Sequence, residues 1–217
     1  MRDRHYQIDA LYRKILKELS EEPESWKAFL DCAGYNFKLR FDEQVLLYAQ
    51  RPDATAVLTI EQWNKGFHRW VNRGAKGIAV FDEAPDTVQK IRYYFDISDT
   101  HEGKDARKVP LWSYQEAYEA EVIESLEAAF DMPEKNESLP KTVEAAMQAA
   151  AEEYRMDYLP ALKELKGQSR LSLLDEKNLS LCLTEAAAAS SRYLILRRLG
   201  FPKEAEQLTD SLTLVRD

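Results

Sequence analysis

Residues 48–81, YAQRPDATAVLTIEQWNKGFHRWVNRGAKGIAVF, decide the fold because helix, strand and turn signals follow one another within them. Thr59 and Gln62 have the spacing of a capping box, which predicts a short helix at this point. Short strands are predicted at 69–72 and 78–81, joined through RGAKG. Two glycines in that connection favour a tight, hairpin-like turn with a positive φ at one or both.

Helical periodicity governs the sequence before this stretch. The first helix is predicted from apolar residues at helical spacing: Ile8, Leu11, Tyr12, Ile15 and Leu19. A third helix is predicted to begin with Asp42 as its N-cap and to end near Arg51, since Pro52 disfavours a helical residue before it. The segments 55–60 and 91–97 are rich in β-branched and aromatic residues, which are typical of strands. We therefore expect an α+β fold with a small antiparallel or mixed sheet of three to four short strands mid-chain.

Helical patterns dominate the second half of the sequence. Pro140 can occupy the first turn of one helix. A long helix is predicted from about 175 to 199, with Gly200 after it as a stop signal. We expect two domains, an α+β domain at 1–112 and a helical extension at 113–217 packed on it.

Composition and the N-terminal segment indicate whether the chain is expected to span a membrane and in which compartment it is expected. The chain has 217 residues and no apolar run of the ~18 residues that a membrane-spanning helix needs. Its N-terminus, MRDRHYQID, lacks a hydrophobic signal segment, so we expect a cytoplasmic protein. Cys32 and Cys182 have no CxxC spacing and are typical of reduced thiols.

Charge is distributed unevenly along the chain, whose net charge is −8. Residues 38–77 hold seven Lys or Arg against four Asp or Glu, whereas residues 113–165 hold four against thirteen. Such polarity is consistent with a local basic face on an acidic body, although charge runs are also typical of plain solvated surfaces.

Signatures of catalysis are missing from the sequence. RGAKGIA lacks the spacing and the hydroxyl of a phosphate-binding P-loop, and no GxSxG motif is present. The sequence His101-Glu102-Gly103-Lys104-Asp105 has Asp where a zinc protease requires a second His. We therefore expect no catalytic residues, no metal and no cofactor.

Aromatic and basic side chains alternate within the central stretch, as they do in proteins that stack bases and hold phosphates. Each tryptophan can equally be a core residue, and a basic turn with two glycines can be a solvated loop tip. The residues that we predict to bind nucleic acid are Arg40, Arg51, Trp63, Arg69, Trp70, Arg73 and Lys76.

A family resemblance rests on four pieces of sequence: FDEQVLLYAQRPDATAV, IEQWNKGFHRWVNRGAKGIAVFD, RYYFDISDTH and VPLW. Together they resemble the N-terminal domain of ArdC-type antirestriction proteins. The likeness covers residues 26–100 and is nearest to the variant at the start of large helicase–methylase proteins of Firmicutes conjugative elements.

The resemblance implies an α+β domain that binds single-stranded DNA during conjugative transfer. The residues that match the family motif are Trp63, Arg69, Trp70, Arg73, Lys76 and Gly77. The HExxH motif of the ArdC protease-like domain is missing here, as are helicase and methyltransferase motifs, so those activities are not carried over. Other domains of a larger helicase–methylase polypeptide become possible partners.

The sequence thus predicts a non-enzymatic, single-stranded DNA-binding module of a mobile-element protein, with no membrane partner. The alternative is an acidic protein-interaction module, either a docking domain or a DNA mimic that acts on a host or relaxosome protein. A third, weaker hypothesis is a degenerate hydrolase that uses His101 and neighbouring carboxylates.

Overall fold

The computed structural model describes residues 2–82, 90–132, 136, 138–165 and 170–206. The chain divides into two compact units, Met1–Trp112 and Ser113–Asp217. Helices flank two small antiparallel sheets, which lie entirely within the first unit as described. The prediction of an α+β fold is confirmed.

Three helices open the first unit. Their bounds are Arg2–Glu21 for α1, Pro23–Tyr35 for α2 and Phe41–Gln50 for α3. The apolar stripe predicted for the first helix is confirmed, since Ile8, Ile15 and Leu19 are all buried. Proline is the first residue of α2, where its missing N–H would have had no helical partner in any case.

The prediction that Asp42 caps α3 is wrong. The N-cap residue is Arg40, which is extended, and its backbone N–H donates to Oε2 of Glu43 at 3.1 Å. Asp42 lies instead in the first turn, where a carboxylate is favoured by the helix dipole. The predicted end near Arg51 is confirmed, because that residue is the C-cap.

Short strands follow α3, with one short helix between the first two. The strands are β1 at Val57–Leu58, β2 at Arg69–Val71, β3 at Ile78–Asp82, β4 at Lys90–Asp96 and β5 at Thr100–Glu102. One sheet has the order β1-β4-β3, and the other is a two-stranded ribbon of β2 and β5. The strand predicted at 55–60 is only two residues long, because the N–H groups of Thr55 and Ala56 bind the carboxylate of Asp96 instead of a strand.

The predicted hairpin between 69–72 and 78–81 is wrong. β2 pairs with β5, in the register Trp70↔His101, and β3 pairs with β4. The RGAKG connection therefore carries the chain from the ribbon to the larger sheet. The positive φ predicted there is confirmed at Gly74, which has φ of 88°.

The capping box predicted from Thr59 and Gln62 is confirmed in both directions. The N–H of Thr59 donates to Oε1 of Gln62 at 2.9 Å, and the N–H of Gln62 donates to the Thr59 hydroxyl at 3.2 Å. The helix that it opens, α4 at Ile60–Gln62, widens at once into a π-helical turn at Trp63–Phe67. His68 ends this turn in the left-handed region, with φ of 51°.

The described part of the second unit consists of helices. The α-helices are α5 at Glu119–Ala129, α6 at Leu139–Leu165, α7 at Glu176–Leu199 and α8 at Pro202–Glu206. Short 3-10 helices lie at Glu116–Tyr118 and Arg170–Leu173. The long helix predicted at 175–199 is confirmed: the Asp175 carboxylate accepts from the N–H of Asn178, and Gly200 follows with φ of 87°. Of the predicted domain 113–217, residues 133–135, 137, 166–169 and 207–217 lie outside the described part. None of the helices described has the length and apolar character needed to traverse a bilayer.

Candidate nucleic-acid interface

The ribbon of β2 and β5 sorts its side chains onto two faces. Trp70 lies directly opposite His101, and residues opposite each other in an antiparallel pair project to the same face. Arg69 lies opposite Glu102 and therefore projects to the other face. Asn72, two residues after Trp70, follows the same alternation. We call Trp70, Asn72 and His101 the Trp70 face.

Trp70 is 49% exposed, so its indole ring is available to a ligand. The ring lies against Gly103, where an added Cβ would be 2.7 Å from Nε1 of the indole. The N–H of Gly103 donates to the carbonyl of His68 at 2.9 Å, which extends the pairing of the ribbon beyond β5. A glycine is therefore required at this position for the indole to keep its place.

His101 is also exposed, and Nδ1 of its imidazole lies 2.8 Å from Oδ1 of Asn72. This hydrogen bond crosses the ribbon on the Trp70 face and fixes the plane of the imidazole. The backbone N–H of Asn72 donates to the carbonyl of Asp99 at 2.8 Å, so the residue that holds the ring is itself anchored.

A tight turn follows the ribbon at 72–75. The N–H of Ala75 donates to the carbonyl of Asn72 at 3.1 Å, and Gly74 takes the positive φ that a type II turn requires. Arg73 lies within this turn and Lys76 just beyond it. Both are exposed, and neither forms a hydrogen bond or ion pair with the described residues. Their charges are available to a phosphate.

Arg69, by contrast, is bound within the ribbon, and its side chain is 12% exposed. Its guanidinium donates to the Thr100 hydroxyl at 2.8 Å, to the Thr100 carbonyl at 3.2 Å and to Oε1 of Glu102 at 2.9 Å. These contacts assign Arg69 to the structure of the ribbon rather than to a phosphate.

Arg51 is likewise held by neighbouring groups. Its guanidinium lies 3.0 Å from Asp99, 3.1 Å from Asp53 and 2.8 Å from the Ser98 hydroxyl. Burial lowers the pKa of Arg51, but the carboxylates of Asp99, Asp53 and Asp96 together outweigh this effect and raise that pKa above its ordinary value. A phosphate would have to displace these carboxylates.

Arg40 is paired in a similar way. Its Nε and Nη2 donate to the two carboxylate oxygens of Asp42 at 3.0 and 2.6 Å. The bidentate geometry is the strong form of this ion pair. Arg40 is therefore placed at the start of α3 with its charge already matched.

Trp63 is a correction to the predicted set. Its side chain is fully buried, and its Nε1 donates to the carbonyl of Phe95 at 2.8 Å. The π-helical turn that begins at Trp63 directs the indole onto β4, so no face of the ring is open to a base. The sequence predicts the same role for Trp63 and Trp70, whereas in the structure Trp63 is a core residue and Trp70 is exposed.

Sequence reasoning missed a basic segment that runs beside the π-helical turn. The N–H of Arg107 donates to the carbonyl of Phe67 at 2.9 Å, which places the loop after β5 next to that turn. Lys104, Arg107 and Lys108 are all exposed. Their spacing in the sequence, KDARK, was the available signal.

The local charge is positive. Residues 65–76 contain four Lys or Arg and no Asp or Glu. The nearest acidic residue on the ribbon, Glu102, is paired with Arg69. A phosphate that approaches the turn at 72–75 thus meets cations in the same chain segment that carries Trp70 and Asn72.

Among the described residues, no group of three or more His, Cys, Asp or Glu has the arrangement of a metal site. The sequence His101-Glu102-Gly103-Lys104-Asp105 lies on β5 and the following turn, not on a helix. The one-turn spacing that a zinc protease uses is therefore not realised here.

Comparison with protein-family models, with curated proteins and with solved structures finds no match to this chain. The resemblance to ArdC-type N-terminal domains therefore stays a prediction based on the sequence motifs.

Proposed function

We propose that this chain binds single-stranded DNA through the Trp70 face and the turn that follows it. The observation that carries the proposal is an exposed indole on a short ribbon, three residues before an arginine and six before a lysine that have no partner among the described residues. A base stacks on Trp70, while Arg73 and Lys76 hold the phosphates on either side.

The preference for a single strand follows from the indole. A base within a duplex is covered on both sides by its neighbours, so a ring that is fixed on a protein surface has no access to it. An unpaired strand offers open base faces, and stacking on an aromatic side chain is worth roughly 1–3 kcal/mol per base. Because every base has such a face, we expect weak sequence preference.

The charge distribution of the chain limits its affinity for nucleic acid. The chain as a whole is acidic, with net charge −8, so nucleic acid is attracted only where the local charge is positive. A few phosphate contacts and one or two stacked bases predict modest binding that weakens as salt rises.

The wider setting that we propose is a conjugative or antirestriction protein of a mobile element. It is supported by the four sequence pieces that resemble ArdC-type domains, and it makes the other domains of a larger polypeptide the expected neighbours. Binding of a single strand does not depend on this setting and is tested separately.

The test is fluorescence anisotropy of a labelled strand of about 20 nucleotides, with the duplex as competitor, at two salt concentrations. Two exposed cations elsewhere in the chain provide a charge-matched control, Lys14→Ala/Lys177→Ala. Arg73→Ala/Lys76→Ala should weaken binding and reduce the salt slope by about 1.4, since each phosphate contact on a single strand contributes about 0.7. The control should change neither.

An equal effect of both double variants would mean that net charge, not the turn, governs binding. No binding by the unmodified protein at low salt would reject the proposal. That result would favour the alternative, in which the acidic helices serve as a protein-interaction module.

A further inference from the structure

His101 has no role in the binding mode above, although it shares the Trp70 face. Its imidazole is exposed, and the hydrogen bond to Asn72 fixes the ring. A ring held in place on an open surface loses little conformational freedom when a ligand binds. The second ring of the face is thus as well prepared for a ligand as the first.

The two rings are displaced toward opposite ends of the ribbon. The indole of Trp70 lies over Gly103, which is two residues beyond His101 and directly follows β5. The imidazole of His101 turns instead to Asn72, which is two residues beyond Trp70 and directly follows β2. The indole and the imidazole therefore point in opposite directions along the ribbon, and neither ring covers the other.

The two rings are farther apart than the bases of a stacked strand. Side chains directly opposite in an antiparallel pair have Cβ atoms about 4.5–5.5 Å apart, and the opposite lean of the indole and the imidazole widens the gap between the rings. Bases in a stacked strand are about 3.4 Å apart. A strand whose neighbouring bases are unstacked and spread along the ribbon can therefore set one base on each ring.

We infer that the Trp70 face binds a dinucleotide step of single-stranded DNA, with one base on Trp70 and the adjacent base on His101. Asn72 is the positioning residue that holds the imidazole in plane. The inference rests on the proposed function and adds the size of the bound unit and the second stacking residue.

The experiment uses two strands of equal length, about 12 nucleotides, that carry the same number of phosphates. One is oligothymidine, and in the other every second base is removed to leave an abasic site, so no two adjacent bases exist in any register. Dissociation constants are measured for the full chain and for His101→Ala, His101→Phe and Trp70→Ala. Tyr6→Ala, which removes another exposed aromatic ring from α1, is the control.

On oligothymidine, His101→Ala should weaken binding at least about fivefold, the lower end of what one stacked base contributes. His101→Phe should stay within about twofold of the unmodified protein because it keeps a ring. On the alternating strand, His101→Ala should have no further effect, since the second base is already missing.

The inference is overturned if His101→Ala binds oligothymidine as tightly as the unmodified protein, or if it weakens binding to both strands equally. It is also overturned if His101→Phe is as weak as His101→Ala, because the imidazole would then act through its nitrogen atoms. The proposed function fails in a different way: the unmodified protein would not bind oligothymidine, or Trp70→Ala would bind it as tightly.

Discussion

The side-chain amide of Gln50 pairs with both backbone groups of Ala79. The N–H of Ala79 donates to Oε1 of Gln50 at 3.0 Å, and Nε2 of Gln50 donates to the Ala79 carbonyl at 2.9 Å. Ala79 lies in β3, one of the two edge strands of the larger sheet, and its two backbone groups would otherwise face no strand among the described residues. The last residue of α3 thus imitates a neighbouring strand at one position and covers that part of the edge.

Replacing Gln50 should destabilise the first unit. Gln50→Ala leaves the N–H and the carbonyl of a buried residue without partners, at a cost of about 1–3 kcal/mol in the free energy of unfolding. Urea unfolding measures the effect. Gln7→Ala, on the exposed side of α1, should change stability by less than about 0.5 kcal/mol. If Gln50→Ala and Gln7→Ala had the same free energy of unfolding, the side-chain amide of Gln50 would contribute nothing to stability.

The two tryptophans of the central stretch should respond in opposite ways to truncation. Trp63→Ala removes a fully buried indole and its hydrogen bond to Phe95, so we expect a loss of about 3–5 kcal/mol in the free energy of unfolding. Trp70→Ala should leave stability within about 1 kcal/mol and weaken binding to a single strand.

Both effects are measured on the same samples, by urea unfolding and by anisotropy. A large loss of stability in Trp70→Ala would mean that its ring is a packing element, and its effect on binding would then say nothing about stacking.

Ionisation of the Asp96 carboxyl group should make the free energy of unfolding depend on pH. Burial raises the pKa of Asp96, but hydrogen bonds from Ser98 and from the N–H groups of Thr55 and Ala56 outweigh it and hold that pKa below its ordinary value. A carboxyl group with a lowered pKa stabilises the fold above the unfolded pKa of about 3.9. That contribution is lost as the pH falls through the lower, folded value.

The comparison that isolates this group is Asp96→Asn. The difference in unfolding free energy between the two proteins should be largest near pH 7 and should shrink as the pH falls below about 4. A difference that stays constant down to pH 2 would assign the effect of the substitution to altered packing.

Thiol labelling should distinguish the two cysteines. Burial, followed by the carboxylates of Asp53, Asp31 and Asp96, raises the pKa of Cys32 to about 12. Thiolate is the reactive form, so Cys32 should not react with a disulfide reagent at pH 8 in the folded protein. Cys182 is only partly buried. Cys182 should therefore react at once and Cys32 only on unfolding. Cys182→Ser is the control, since it should remove the immediate reaction.

Local signals in the sequence predicted the helices and the capping box well, because each depends on residues three or four positions apart. The pairing of the strands could not be predicted in the same way. Only Asn72 separates β2 from the RGAKG turn, yet β2 pairs with β5, about thirty residues later. No local pattern distinguishes that partner from β3.

The same limit applies to the site. The sequence singled out Trp70, Arg73 and Lys76, and the structure leaves all three exposed. It could not show that the other basic residues are bound elsewhere, because their partners are distant: Arg51 to Asp99 and Arg69 to Glu102. The sequence pointed to His101 only as part of a metal or hydrolytic site, because its place opposite Trp70 follows from the strand register.

Gly103 should prove essential for the orientation of Trp70. A methyl group there would lie 2.7 Å from Nε1 of the indole and 2.8 Å from the carbonyl of His68, so the ring must move and the end of the ribbon must open. Gly103→Ala should weaken single-strand binding about as much as Trp70→Ala does. The fluorescence of Trp70, isolated as the difference from Trp70→Phe in each background, should also change.

Gly66 provides the matched control, because an added Cβ there meets no atom within 4 Å and its φ is not positive. Gly66→Ala lies in the π-helical turn just before the ribbon and should leave both binding and fluorescence unchanged. If Gly103→Ala binds as tightly as Gly66→Ala, the indole does not need its position over Gly103 in order to receive a base. In that case Trp70 would receive a base as a mobile ring that adjusts to its ligand, not as a ring fixed over Gly103.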